Sequence, residues 1–294
     1  IGFAGRQIDL RVSTLPTQNN LESVVLRVLD RSIVSLDLEN LGMSDDTYQK
    51  FCADIDKPNG IIIVTGPTGS GKTTTLYSAL RRINTIEMKI LTAEEPVEYD
   101  IEGIIQVPIN PLVGNTFGMI LRAFLRLDPD VMMVGEVRDA ETAEVTIQTA
   151  LTGHLVFSTL HTNDAASAAV RLIDMGIDPY LITSTVMAFI AQRLVRVICP
   201  QCRIRYEQDG RPFYRGQGCA HCNQTGYFGR VAIYEFLLMG RDIQERILHK
   251  ASSVEVRDRA IAGGMTSLAD DGWEKVAQGI TTADEVLRVT MLSD

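Results

Sequence analysis

No stretch of the 294-residue chain approaches the ~18 consecutive apolar residues of a membrane-spanning helix. The most apolar helix candidate, Tyr180 to Val197, is interrupted by Gln192, Arg193 and Arg196. Positive charge is also scarce: 28 Lys and Arg against 37 Asp and Glu leave a net charge of -9. That balance, with aromatics at only 6% and no aromatic-basic stripe, disfavours a broad electrostatic nucleic-acid footprint, and no nucleic-acid partner is expected. Internal repeats and low-complexity segments are missing, so neither a solenoid nor a disordered tail is indicated. The first residue is Ile, with neither a basic start nor a secretory apolar region, so position 1 reads as a cut and the natural chain is expected to begin upstream. Cysteines number five, of which four form two CxxC pairs; this points to metal in a reducing compartment, the cytoplasm, rather than to disulfides. Cys52 reads as a small buried side chain.

What the chain does contain is Gly66-Pro67-Thr68-Gly69-Ser70-Gly71-Lys72-Thr73, followed by Thr74, directly after the apolar run Ile61 to Val64. A strand, a glycine-rich loop and a helix in this order form a phosphate-binding signature. The glycines let backbone N–H groups close around a polyanion and the following helix presents its positive end. Lys72 neutralises β/γ-phosphate charge and the Thr73 hydroxyl takes Mg2+.

Strand-like runs at Ile61–Thr65, Lys89–Thr92, Val131–Val134 and Leu155–Ser158 alternate with helical patterns at Lys72–Ile83, Thr116–Leu127, Ala140–Leu151 and Ala165–Met175. Such alternation predicts a mainly parallel α/β sheet with ligands at the carboxyl ends of its strands. Before it, Gln7 to Val12 and Val24 to Leu29 read as two strands around a turn, the remainder of a small domain over residues 1–39. Residues 40–47 form a linker, with Ser44 capping a helix from Thr47 to Ile55. The core is expected over 48–198, a cysteine module over 199–230 and a helical tail over 231–294.

Phosphoryl transfer to water needs a positioned water, a metal and donors that follow the charge. Glu136 ends an apolar strand, placed to orient or deprotonate water. Gly135 stands where most P-loop proteins have Asp, so Mg2+ is held mainly by Thr73, phosphates and water. Glu94, Glu95 and Glu98 lie just beyond the second core strand around Pro96, projecting from the sheet edge, an arrangement suited to a metal-water shell or a partner arginine. His154 and His161 bracket the fourth strand, and His161, at its carboxyl end, faces the γ-phosphate. Cys199, Cys202, Cys219 and Cys222 form C-x2-C-x16-C-x2-C, the spacing of a closed, structural four-cysteine zinc site. Among the arginines, Arg6, Arg11, Arg27, Arg122, Arg126 and Arg138 need sorting, since one genuine arginine finger is worth a factor of about 10³ to 10⁵ in rate.

Together these motifs resemble the secretion ATPases of type II secretion and type IV pilus assembly. The resemblance runs in order from Gly5-Arg6 and Arg11-Val-Ser-Thr-Leu-Pro16 through the P-loop and Glu94-Glu95-Pro96-Val97-Glu98. It continues through Gly135-Glu136-Val-Arg138-Asp139, Thr152-Gly-His154 to Asn163, the cysteines with Thr225-Gly226-Tyr227, and Thr281 to Thr290. It implies a RecA-like P-loop NTPase core with a partial N-terminal α+β, PAS-like domain, a small zinc module and C-terminal helices. It further implies a homo-hexameric, Mg-dependent ATPase converting ATP to ADP and phosphate, cytoplasmic and peripheral at the inner membrane through platform and docking proteins. Glu136 is then the catalytic glutamate, Glu94, Glu95 and Glu98 the acidic box, and His154 and His161 the histidine box, with Arg11 and Arg27 reaching the nucleotide. Glu95 replaces the family's usual Asp, and Thr17 to Ser23 departs from its usual His-Gly-Glu-Arg type turn. The short linker between cysteine pairs is nearer to pilus assembly, and the cysteine module itself is absent from retraction motors. A DNA-translocating or helicase-type motor with a zinc ribbon is the alternative, which the charge argues against.

Overall fold

The computed structural model describes residues 2–3, 6–30, 37–208 and 210–291. The chain divides into two compact units, Ile1–Leu36 and Asp37–Asp294.

In the first unit, β1 (Gly2–Phe3), β2 (Arg6–Pro16) and β3 (Glu22–Asp30) form an antiparallel sheet in that order. The turn between β2 and β3 holds Asn19 and Asn20 at positive φ (64° and 55°), a conformation asparagine tolerates better than most residues. Arg11 and Arg27 are directly opposite in the register.

The second unit begins with α1 (Asp45–Ile55), whose Ser44 hydroxyl accepts the Thr47 N–H at 3.3 Å. Then follow β4 (Gly60–Thr65), α2 (Lys72–Ile83), β5 (Ile90–Glu94), β6 (Ile105–Pro108), α3 (Phe117–Phe124), β7 (Val131–Val134), α4 (Ala140–Leu151), β8 (Leu155–Leu160), α5 (Ala165–Asp174), α6 (Pro179–Thr185) and β9 (Val186–Ile198). A two-stranded hairpin of β10 (Arg203–Gln208) and β11 (Arg211–Gly216) precedes β12 (Tyr227–Leu238), and α7 (Arg241–Leu248), α8 (Ser253–Ala262), α9 (Leu268–Ala277) and α10 (Ala283–Thr290) complete the unit.

The central sheet runs β12-β9-β4-β8-β7-β5-β6, parallel throughout except for the antiparallel β12–β9 pair. β4, β5, β7 and β8 are buried at every position, as continuous apolar strands covered by helices on both faces must be. The helices α2, α4 and α5 fall within a residue or two of the sequence pattern. Tyr180 to Val197 does not form one helix: it breaks at Val186 into α6 and β9, because Val186, Phe189, Ile190 and Val195 are buried in a strand between β4 and β12. Val231 to Leu238 belongs to a sheet strand rather than to the helical tail, so the expected boundary at residue 230 falls inside β12. β6, short, exposed at its ends and closed by Pro108, is an edge strand that the apolar pattern did not reveal. Cys52 is half-buried in α1 rather than fully buried.

Candidate nucleotide site and tetracysteine cluster

The P-loop joins the carboxyl end of β4 to α2, and its shape depends on how closely β9 approaches. A Cβ added at Gly66 would lie 2.5 Å from the Gln192 carbonyl and 2.7 Å from Ser70 Oγ, at a φ of +150° that L side chains avoid. Lys72 Nζ donates to the carbonyls of Gly66 (2.7 Å) and Pro67 (3.1 Å). Burial pushes its pKa down to about 8; the Glu136 carboxylate acts against that shift and the Arg193 guanidinium adds to it. Ser70 Oγ is buried without a hydrogen-bond partner. A desolvated ammonium, an orphaned hydroxyl and a helix N-terminus of twelve residues, all in one glycine-built loop, fit a phosphate chain. Thr73 stands exposed in the first turn of α2, with its hydroxyl available to a metal, and Thr74 follows half-buried.

Glu136 follows β7 and His161 follows β8, the adjacent strand. Their loops are pinned together: Val137 N–H donates to the Thr159 carbonyl (2.9 Å), Thr159 Oγ1 to the Gly135 carbonyl (2.7 Å) and Gly135 N–H to the Ala93 carbonyl (2.8 Å). Gly135 lies near β5, where an added Cβ would sit 3.2 Å from the Ala93 carbonyl, a tight contact for any side chain. The Glu136 side chain is only 14% exposed and both oxygens are engaged: Oε1 by Arg138 Nη2, Oε2 by His161 Nε2 at 3.2 Å. Arg138 reaches Glu95 with its other nitrogen, 2.8 Å away. These contacts, first the hydrogen bond to Glu136, raise the pKa of Arg138. Arg138 is thereby identified as part of the site, which the sequence alone did not do.

The three acidic-box residues do not project together from the sheet edge. Glu94 ends β5 and is buried, accepting from the Tyr77 hydroxyl, Thr92 Oγ1 (2.6 Å) and Gln106 Nε2 (3.1 Å). Burial, reinforced by the Glu94 charge, keeps the Tyr77 phenol protonated as a donor. Glu95 turns outward to Arg138, and the Glu98 N–H donates to Tyr77 Oη at 3.2 Å. The Glu94 and Glu95 carboxylates are thus turned to different sides, and Glu95 finds an arginine cation in Arg138. His154 lies at the amino end of β8, one strand length of roughly 20 Å from His161. Its Nδ1 meets the Thr149 carbonyl (2.9 Å) and Thr152 Oγ1 (3.0 Å), and the structure does not bring it to Glu136. Arg11 and Arg27 are brought together within the first unit.

Arg193 is a second buried cation at this site, beside Gly66, donating to the carbonyls of Gln192 (3.0 Å) and Asn163 (2.6 Å). Gln192 Oε1 accepts from Thr75 Oγ1 at 2.8 Å, tying β9 to α2. Their signal was present as the two polar residues interrupting the apolar run before Val197.

The four cysteine sulfurs lie within 4.8 Å of one another, with Sγ···Sγ separations of 3.8 Å (Cys199–Cys219), 3.9 Å (Cys202–Cys222) and 3.7 Å (Cys219–Cys222). A tetrahedron with metal–sulfur bonds of about 2.3 Å has edges of about 3.8 Å, so the set fits zinc and is too open for disulfides. Backbone N–H groups of Gly218, Cys219 and Gly226 donate to Cys202 or Cys222 sulfur at 3.2–3.3 Å, as suits thiolates.

Residues 1–288 match the family described as Type II/IV secretion system protein. The chain belongs to that family. It is 49% identical over 98% of its length to Type II secretion system ATPase E of Vibrio cholerae serotype O1, covering 59% of that protein. It is 44% identical over 97% of its length to Type IV pilus assembly ATPase PilB of Thermus thermophilus, covering 34% of it. Among solved structures, the pilus retraction motor PilT with bound ADP superposes with a TM-score of 0.72 at 28% identity, covering 95% of this chain and 73% of that one. The sheet is thus that of a RecA-like P-loop fold. The chain spans about three fifths of the length of the type II relatives it matches. Basic and aromatic side chains pair locally in and beside the cysteine module. Arg203 lies over the Tyr214 ring (4.1 Å), Arg215 over Tyr206 (5.3 Å) and Arg196 over Tyr227 (4.1 Å). Among the described residues no helix is long and apolar enough to cross a membrane.

Proposed function

We propose that this chain is the motor portion of an ATPase that hydrolyses ATP to ADP and phosphate and, as a homo-hexamer, drives assembly of a pseudopilus or pilus. The observation that carries the reading is Glu136, held by Arg138 and His161 at the strand tips and close enough to Lys72 to act on its charge. Gly66 to Thr74 would hold the phosphates, with Lys72 and Arg193 countering their charge and Thr73 holding Mg2+. Glu136 orients and deprotonates water; Arg138 and His161 fix its carboxylate; Glu94, through Tyr77, fixes the start of the acidic loop against α2. Zinc on Cys199, Cys202, Cys219 and Cys222 would hold the β10–β11 module. The relatives' names support secretion and pilus assembly alike. Location at the cytoplasmic face of the inner membrane, through platform and docking proteins and without nucleic acid, follows from the same reading.

Purified protein, assembled as a hexamer, should turn over Mg-ATP in a manner that Lys72→Ala abolishes. Turnover unaffected by that substitution would sink the assignment. Metal analysis should find one zinc per chain.

A further inference from the structure

The segment from Cys199 to Arg230 is an exception to the charge of the chain. It carries five arginines and no lysine against Glu207 and Asp209, a net +3 that leaves -12 on the remainder. Most of this charge sits on the β10–β11 hairpin, whose two faces differ. In its register Tyr206 is opposite Phe213, Ile204 opposite Arg215 and Gln208 opposite Arg211, so these six residues share one face. The other face carries Arg203, Arg205 and Tyr214 and is turned to the end of α9: an added Cβ at Gly279 would sit 2.5 Å from Tyr214 Cδ2, and Arg203 Nη2 reaches toward the Gln278 carbonyl at 3.4 Å. The first face is turned away from the end of α9. On it Tyr206 and Phe213 stack with centroids 5.9 Å apart, Ile204 is half-exposed beside them, and Arg211 and Arg215 are exposed.

Among the described residues, neither Arg211 nor Arg215 has a carboxylate within ion-pair distance; the hairpin's one described pair is Arg205–Glu207 at 3.7 Å. The Arg215 guanidinium lies over the Tyr206 ring at 5.3 Å and is exposed, and a guanidinium's donors match a carboxylate in a bidentate fork. We propose that this outer face is a docking surface for a short, extended acidic segment of a partner protein. Carboxylates are received by Arg211 and Arg215, and apolar side chains by Ile204, Tyr206 and Phe213. The inference does not depend on ATP turnover.

The chemistry favours a peptide over other polyanions. The Tyr206 ring already has Arg215 and Phe213 against it, and Tyr214 carries Arg203, so fewer ring faces are left for unpaired bases to stack on. A membrane is a broad anionic surface facing a chain whose remainder carries -12, whereas a segment only as long as the six-residue strands meets the positive patch alone.

The full chain is titrated with a fluorescein-labelled, glutamate-rich peptide of about eight residues carrying two phenylalanines, enough to span a six-residue strand of ~20 Å. Binding should weaken with salt and fall about tenfold or more in the pair Arg211→Glu and Arg215→Glu, or when the peptide's glutamates are replaced by glutamine. Hydrogen exchange should slow within residues 203–216. Arg211→Gln with Arg215→Gln should give a smaller loss in the same direction, and decides the matter if the charge reversal lowers the melting temperature. Equal affinity for variant and parent, or protection confined to other segments, overturns the proposal. So does tighter binding of an oligothymidylate or of phosphatidylglycerol vesicles through the same arginines, which would give the surface to nucleic acid or to a membrane.

Discussion

The two ends of β8 carry a histidine each and share one buried strand, yet they meet different surroundings. At the carboxyl end His161 touches Glu136, which is held by Arg138, beside the P-loop lysine. At the amino end His154 caps its own helix-to-strand turn and borders an open groove of about 1040 Å³ lined also by Arg82, Asp128 and Asp130. The difference is one of topology. In a parallel sheet every strand delivers its following loop to the same edge, so Glu136, His161 and the P-loop converge although they are far apart in sequence. Loops at the amino edge return from helices and gather no such set here.

The largest effect expected from breaking this asymmetry is Glu136→Gln, which should lower kcat about 10² to 10⁴-fold while leaving nucleotide binding nearly intact, as measured by steady-state turnover and equilibrium titration. Arg138→Ala comes next. It frees the Glu136 carboxylate and leaves Glu95 without its partner, so kcat should fall about tenfold with KM little changed, because a positioning group is lost and not a phosphate ligand. Glu95→Asp should show a fraction of that loss, one methylene being removed from the bridge. The two histidines test the comparison directly: His161→Ala should cost several-fold to about tenfold in kcat, and His154→Ala less than about twofold. Equal losses would mean that the amino edge takes part in the chemistry after all.

How much of this was legible in the sequence depended on locality. The P-loop, the cysteine spacing and helices such as Ala140 to Leu151 are written in contiguous residues with a fixed period, and the structure places the elements there. What escaped depends on distant partners. Whether Tyr180 to Val197 is helix or strand is decided by β4 and β12 on either side, and the apolar run is ambiguous without them. Three glutamates within five residues read as one acidic cluster, but Tyr77 on α2 and Gln106 on β6 draw Glu94 inward while Arg138 draws Glu95 outward. Arg193 was visible only as a blemish in an apolar stretch. Its meaning comes from Gly66, which is brought beside it by the β4–β9 pairing.

The smallest effect sharpens the carboxyl end alone. Lys72 is driven to a pKa of about 8 by burial, below the usual lysine value of 10.5. A bound phosphate chain favours the ammonium, so its pKa rises in the complex and binding must take up a proton wherever the free chain has lost it. The sign gives the window: at pH 7 the free lysine is mostly protonated and uptake should be about a tenth of a proton, whereas at pH 8.5 it should reach about three quarters. Calorimetric titration with the non-hydrolysed ADP in buffers of different ionisation enthalpy reads this number directly. Lys72→Arg, which retains its charge throughout, should reduce the pH-dependent uptake toward zero. Uptake that persists in this variant would assign the proton to another group, and uptake missing from the parent would mean that Lys72 is already fully charged before nucleotide arrives.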